Sequence, residues 1–284
     1  MLLTFLAIEF LDELVYGARE AAWPLIRSDL GLSYIQVGLL LSVPALVSNF
    51  VEPVIGVLGD VWRRRGLILG GGALFAASLT LIASSPGFVL LLAAFILLSP
   101  ASGAFVSLSQ ASLMDTDPAR HEQNMDRWTF AGSFGVVLGA VVLALVASIG
   151  FGWRGIFWAF AVATVLILIS ARRVPIGGVA GTGGQVVLSF RRGIAGALSS
   201  LRSRSVIRWL VLLQFSSAMP GRSATVLSLR NVSGLLGSLI PLGIGMAASA
   251  WGLGPAMWLL AAGPIALLVG IPRPARSSGG VRSR

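Results

Sequence analysis

The chain has 284 residues, 56% of them hydrophobic and only 11% charged, with a formal net charge of +10 and a mean hydropathy of +0.88. A soluble domain carries about 25% charged residues, so the composition excludes an ordinary water-soluble fold and predicts a polytopic, all-α membrane protein. Cysteine is absent, which excludes a disulfide framework and thiol chemistry.

Apolar runs of about 20 residues, the length that crosses a bilayer, recur from the first residue. The first runs from Met1 to about Ile26, with Pro24 near its end, and closes on the polar turn Ser28–Ser33. The N-terminus has no basic start, and Glu9, Asp12 and Glu13 fall where the apolar part of a signal peptide would be, so no cleaved leader is expected. The second span covers about Tyr34 to Leu58 and the third about Leu67 to Ala83. The fourth covers about Phe88 to Met114 and is followed by a polar segment, Asp115–Arg127. The fifth runs from about Trp128 to Ile149 and the sixth from about Gly155 to Ser170.

From Arg172 to Arg208 the sequence is rich in Gly, Ser and Arg and has no acid. It reads as a basic linker, and its part Leu188–Arg204 fits either a surface amphipathic helix or a solvated loop. Val206–Met219 is apolar but short for a crossing. Spans at about Ala224–Ala250 and Pro255–Ile271 follow, then a basic tail.

Arginine supplies all 21 basic residues, and the 11 acids all lie at or before Asp126. Set in loops between spans, the arginines point to orientation and anionic lipid rather than nucleic acid. The basic loops at Arg63–Arg65 and Arg172–Arg208 are expected in the cytoplasm, and both termini with them. That parity gives eight crossings, with Val206–Met219 not crossing. Trp23, Trp62, Trp128, Trp153, Trp209 and Trp251 fall near span ends, where an aromatic belt is expected.

The stretch Ala131–Pro175 is similar to Val232–Pro274: Gly132 and Gly135 align with Gly234 and Gly237, and Trp158 with Trp258. Each is a Gly-rich span, a Trp/Gly turn, a second span and a basic exit. A parallel repeat of this kind marks duplicated transporter halves, although any two apolar hairpins share small residues. Counterparts of spans two to four are not seen in the second copy. Gly132, Gly135, Gly139, Gly234, Gly237, Gly243 and Gly245 are expected on close helix-packing faces.

Between spans two and three stands Gly56-Val-Leu-Gly-Asp-Val-Trp-Arg-Arg-Arg-Gly66. Its Gly56, Leu58, Asp60, Arg64 and Arg65 resemble motif A of the major facilitator superfamily, G-x-L-A-D-R-x-G-R-[RK]. Pro24–Leu40 resembles that family's first periplasmic turn, with a further likeness to its fosmidomycin-resistance-type drug exporters. The resemblance covers most of residues 1–175 and then about 222–274. It implies a six-helix N-terminal half (1–171), a basic Gly/Ser-rich cytoplasmic linker (172–205), an incomplete C-terminal half (206–272) and a disordered basic tail (273–284). Two departures stand out: Ala140 and Ala144 replace residues of the antiporter motif in span five, and the arginine often found in span four is absent. By the same resemblance Asp60 is a gating residue, a loop acid held by helix N-termini and arginine until movement releases it.

Glu9, Glu13, Tyr16 and Glu20 share one helical stripe of span one, with Asp12 beside it. A carboxylate at membrane depth must be paired, protonated or facing water. Glu9, Asp12 and Glu13 are therefore candidates for coupling protons to substrate movement, or else form an edge stripe paired with Arg19. Glu52 is a second cavity carboxylate or a partner of Arg63–Arg65. Arg230 meets an acid of span one or snorkels to the interface. His121 is the sole histidine and lies in a loop, so neither a metal cluster nor a serine-protease pairing with Ser102 is expected, and the chain reads as no enzyme and as needing no cofactor. The expected activity is secondary transport of a small molecule by alternating access, proton-coupled, as drug or metabolite efflux across a bacterial plasma membrane. The alternatives are a non-transporting remnant and a half-transporter acting as a homodimer.

Overall fold

The computed structural model describes residues 1–61, 64–116, 120–174 and 223–261, with side chains at all of these except 57, 60–61, 223–236 and 261. Among the described residues there is no strand. The helices are α1 (Leu2–Leu30), α2 (Tyr34–Val61), α3 (Arg64–Ala83), α4 (Phe88–Ser102), α5 (Leu108–Thr116), α6 (His121–Ser148), α7 (Gly152–Ala171), α8 (Ser223–Trp251) and α9 (Leu253–Met257). A π-helical segment, Gly103–Ser107, joins α4 to α5 into one rod.

Among the described residues five stretches are long and apolar enough to cross a membrane: Tyr34–Gly56, Arg64–Ala83, Phe88–Thr116, His121–Ser148 and Gly152–Ala171. The first helix has the length, but its acids and arginines keep it below that hydropathy. It lies inside the bundle instead, with Phe5, Ile8, Leu11, Val15, Ala18, Ala22 and Ile26 buried at helical spacing. Leu3 and Leu25 are exposed, while its acids Glu9 and Glu13 turn to α6 and Asp12 to a cavity, the settings in which a carboxylate at membrane depth is tolerated.

The sequence sets the helix ends locally. Gly31 ends α1 in the left-handed region (φ 61°), returning its N–H to the Arg27 carbonyl. A capping box then starts α2: Gln36 N–H donates to Ser33 Oγ at 3.2 Å, and Ser33 N–H donates to Gln36 Oε1 at 2.9 Å. Pro24 stays inside α1, so the polar turn starts later than expected.

Helix pairing follows the small residues. In lipid there is little hydrophobic drive between helices, so close van der Waals packing and hydrogen bonds hold them. The longest contact joins α1 to α6, and a second joins α8 to α2. A Cβ on Gly17 would lie 2.1 Å from the Val136 carbonyl oxygen, and one on Gly139 2.3 Å from that of Leu14. The two backbones thus touch through glycines on both sides. Gly132 and Gly135 complete the α6 face. α8 reaches α2 through Gly38 and Gly245, whose added Cβ atoms would meet the Pro241 and Tyr34 carbonyl oxygens at 2.8 and 2.5 Å.

Several expectations are corrected. Gly237 packs against nothing, since a Cβ there would find open space. Gly243 likewise meets open space, whereas Gly245 makes a close contact as expected. The surroundings of Gly234, the linker, Val206–Met219, the tail and the side chain of Arg230 lie outside the description. Trp128 and Trp153 are buried in the protein rather than facing a belt, whereas Trp251 is exposed. The last span opens as the five-residue α9 and a 3-10 turn, Trp258–Ala261. The repeat has a local echo: Gly152 and Gly252 both have positive φ at the hairpin turn, and Trp158 and Trp258 follow them at the same distance. The packing is not repeated, because α6 lies on α1 and α8 on α2.

Candidate functional site

The polar residues of α1 do not share one environment. Successive residues rotate about 100° around a helix, so Glu9 and Glu13 lie about 40° apart and Asp12 about 100° from Glu13. Glu9 and Glu13 turn to α6. Glu9 is buried at 7% exposure, its carboxylate against Gly132, whose added Cβ would lie 2.7 Å from Oε1, and Trp128 hydrogen-bonds it. Glu13 packs its stem on Gly135. The expected single acidic stripe is therefore split in two.

Asp12, Tyr16 and Arg19, at i, i+4 and i+7, face a cavity of about 690 Å³. Leu41, Ala45, Ser48, Asn49 and Glu52 of α2 form its second wall, and Leu98, Ser99 and Ser102 of α4 its third. Gly237, Ser238 and Pro241 of α8 close it, with Phe75 of α3 behind. The cavity is thus walled by α1–α4 and by α8.

Each cavity carboxylate has a hydroxyl partner. Ser102 Oγ donates to Asp12 Oδ1 at 2.8 Å. Ser48, one turn before Glu52, donates to Glu52 Oε1. Glu52 lies flat on the π segment, where a Cβ on Gly103 would come within 2.7 Å of its Cγ. Arg19 does not pair with these acids. Its Nε and Nη2 donate to Glu20 Oε1 at 3.1 and 2.8 Å, and its guanidinium stacks 4.9 Å above the Tyr16 ring. Ser102 is thus the partner of Asp12, while His121 stands exposed at the start of α6. Among the described residues no group of His, Cys, Asp and Glu could hold a metal ion.

Arginines brace both ends of the bundle formed by α1–α7. At the motif end Arg64 donates to the Gly59 carbonyl at 3.1 Å and to Asp115 Oδ2 at 2.6 Å, joining α2, α3 and α5. Arg65 donates to the Arg172 carbonyl, joining α3 to the end of α7. Gly56 has open space around it, and Gly59 sits under the Leu108 side chain. Asp60 lies within α2 rather than in a loop, and its side chain and Arg63 lie outside the description. At the opposite end Arg154 pairs with Asp29 and donates to the Ser85 carbonyl at 3.0 Å, while Trp153 Nε1 donates to Asp29 at 3.2 Å.

The sequence profile described as Major Facilitator Superfamily matches residues 7–280, nearly the whole chain. The chain belongs to the major facilitator superfamily. It is 24% identical over 162 residues to the fosmidomycin resistance protein of Escherichia coli K12, covering 57% of this chain and 40% of that one. It is 32% identical over 152 residues to the purine ribonucleoside efflux pump NepI of Salmonella typhimurium, covering 51% of this chain and 36% of the pump. The aligned part thus spans about two-fifths or less of these relatives' length. In fold it is similar to a bacterial homologue of the human lysosomal transporter Spinster, solved inward-facing and occupied. That likeness has a TM-score of 0.62 at 12% identity, over 94% of this chain and 85% of that one.

Sequence reasoning missed Ser48, Ser102, Asp115 and the Asp29–Arg154 pair. Ser48 was findable, because an i, i+4 Ser–Glu pair shares a helix face. Ser102 and Asp115 come to their partners from other helices, and only tertiary structure brings them together.

Proposed function

We propose that this superfamily member is a secondary active transporter of a small molecule, working by alternating access and driven by protons. The observation that carries the reading is the cavity walled jointly by α1, α2, α4 and α8. Alternating access rocks one bundle against another around a site at their boundary, and this cavity lies at such a boundary. Asp12 and Glu52 are the coupling groups, since each faces the cavity and accepts a serine hydroxyl that can rearrange when a proton arrives. The relatives' names, a resistance protein and an efflux pump, support outward transport by exchange against protons. The arginine-rich ends of the chain's loops support insertion in a bacterial plasma membrane with both termini inside.

Purified protein in proteoliposomes tests the reading. An imposed proton gradient is expected to drive substrate flux that an uncoupler abolishes, and Asp12→Asn to eliminate it while the protein stays folded. Flux indifferent to the gradient would overturn proton coupling.

A second reading, a folded remnant that does not transport, is favoured by one observation. In the sequence, the second copy of the repeat has no counterparts of spans two to four. No gradient-driven flux of any compound, from protein that is monodisperse and inserted, would support it. A half-transporter completed by a second copy would show as flux that depends on a cross-linkable dimer.

A further inference from the structure

The cavity face of α1 runs on beyond the cavity. Asp12, Tyr16, Arg19, Trp23 and Arg27 fall within about 80° of one another around the helix. The first three line the cavity, and the last two continue the stripe toward the end of the bundle that carries Gly31 and Asp29.

Along that stripe, rings and guanidinium groups of three helices stack. The Arg19 guanidinium lies 4.9 Å from the Tyr16 ring centre and 6.0 Å from that of Phe95 in α4. Trp23 meets the same Phe95, with ring centres 5.6 Å apart. One turn farther out, Arg27 lies 4.0 Å over the ring of Tyr34, the first residue of α2. Tyr34 is backed by α8, since a Cβ on Gly245 would come within 2.5 Å of its carbonyl oxygen. Such contacts are attractive and draw α1, α2 and α4 together beyond the cavity.

Two atoms oppose the closure. Trp23 Nε1 and Arg27 Nε are buried without a hydrogen-bond partner, and among the described residues no other side-chain nitrogen or oxygen is so placed. A buried donor that has lost water and gained no acceptor raises the free energy of the state that buries it. The same end of the bundle holds a second tryptophan–arginine pair for contrast. There Trp153 Nε1 and Arg154 both donate to Asp29, and Arg154 also donates to the Ser85 carbonyl. That pair is built as a brace, with its donors satisfied, and the Trp23–Arg27 pair is not.

We infer that the Trp23–Arg27 stack is a gate between the cavity and the Gly31 end, held closed by its ring contacts and biased toward opening by its two unsatisfied donors. Parting α1 from α2 and α4 at this level returns water to both donors, so their cost falls on the closed state alone and shifts the equilibrium toward the open one. The inference rests on the reading of the cavity as an alternating-access site.

The chain has no cysteine, so Ser99→Cys, on the cavity wall, reports access. A membrane-impermeant maleimide is applied to each face of membrane vesicles in turn, and Ser84→Cys, exposed at the Gly31 end, identifies the face. Benzothienylalanine inserted at position 23 keeps the size of the ring system and lacks the N–H. It is expected to slow labelling of position 99 from the Gly31 face by about threefold or more. Arg27→Lys keeps the charge, lacks the Nε donor and has a flexible stem that lets its head reach water; it should slow labelling too, and it carries the test if the position-23 variant fails to insert. Tyr34→Ala removes the ring under Arg27 and should speed labelling. Benzothienylalanine at position 153, where the N–H is bonded, should lower the melting temperature without slowing labelling. Unchanged or faster labelling with both donor-lacking variants, equal slowing from position 153, or no labelling from the Gly31 face in any variant would overturn the gate. The reporter is read without substrate or gradient, so slowed labelling in a chain that shows no gradient-driven flux would overturn the transport reading and uphold the gate. Flux with labelling unmoved would do the reverse.

Discussion

Ser42 Oγ accepts the Leu242 N–H at 3.0 Å, across the boundary between α2 and α8. The bond forms where Pro241 interrupts the helical ladder, so a hydroxyl on one helix repairs a break in the other. Ser42 is fully buried, and water cannot replace it. Ser42→Ala is expected to cost about 1–3 kcal/mol, the penalty of an unsatisfied buried donor, and to loosen α8 from α2. Thermal melting in detergent, with hydrogen exchange at the Leu242 amide, would register both effects. An unchanged melt and unchanged exchange would show that the bond does not hold the boundary.

The glycine contacts between α1 and α6 leave no room for a methyl group. Gly17→Ala and Gly139→Ala should each destabilise the fold by about 1–3 kcal/mol or more through overpacking, because the obstacles are backbone carbonyls. Gly237→Ala serves as the contrast, with open space at that position and no expected loss of melting temperature. Size-exclusion profiles and melts compare the three variants directly.

Asp12 and Glu52 face the cavity, and Glu9 faces Gly132. Asp12→Asn and Glu52→Gln are therefore expected to lower gradient-driven flux at least tenfold with little change in stability. Glu9→Gln should act mainly on stability, through the α1–α6 contact. Measuring flux and melting temperature for all three variants separates the roles. Loss of flux in Glu9→Gln alone would reverse the assignment.

At the motif end Arg64 serves two acceptors and Asp115 is the more exposed member of the pair, at 68% against 12%. An exposed ion pair contributes about 0–1 kcal/mol, so Asp115→Asn should be mild. Arg64→Ala also releases the Gly59 carbonyl and should be the more damaging change. Exchanging the two charges, Arg64→Asp with Asp115→Arg, should restore only part of the loss. Full restoration would mean that the Gly59 bond is dispensable.

Arg154 bridges Asp29 and the Ser85 carbonyl while stacking 4.3 Å over Trp153. A lysine cannot reproduce a planar fork that both bridges and stacks. Arg154→Lys should therefore melt nearly as low as Arg154→Ala, and a lysine variant as stable as wild type would refute the bridging role.

The helices were legible because hydropathy and turn chemistry are local properties. Gly31, the Ser33–Gln36 box and the glycines of the second hairpin announce their turns in the sequence. The family was legible from Gly56, Asp60, Arg64 and Arg65. The site was legible only in part. One stripe of acids could not disclose that Asp12 and Glu9 look in different directions, because that depends on which neighbours α1 meets. Trp128 and Trp153 misled for the same reason: a tryptophan at a span end reads as a lipid anchor until another helix covers it. Gly245 packs as expected while Gly237 and Gly243 do not, because small-residue patterns state that helices approach closely without stating where along them.

The π segment Gly103–Ser107 sets the phase of one long rod. An ordinary helix repeats every 3.6 residues, whereas a π turn accommodates an extra residue. Before the segment Ser102 points at Asp12, and beyond it Asp115, farther along the same rod, meets Arg64. Deleting a single residue from the segment should let it close into an ordinary helix with everything after it still in phase, so that Asp115 keeps Arg64 and Leu108 keeps its place over Gly59. The segment is thus the one place in this rod where a change of length by a residue need not become a change of direction.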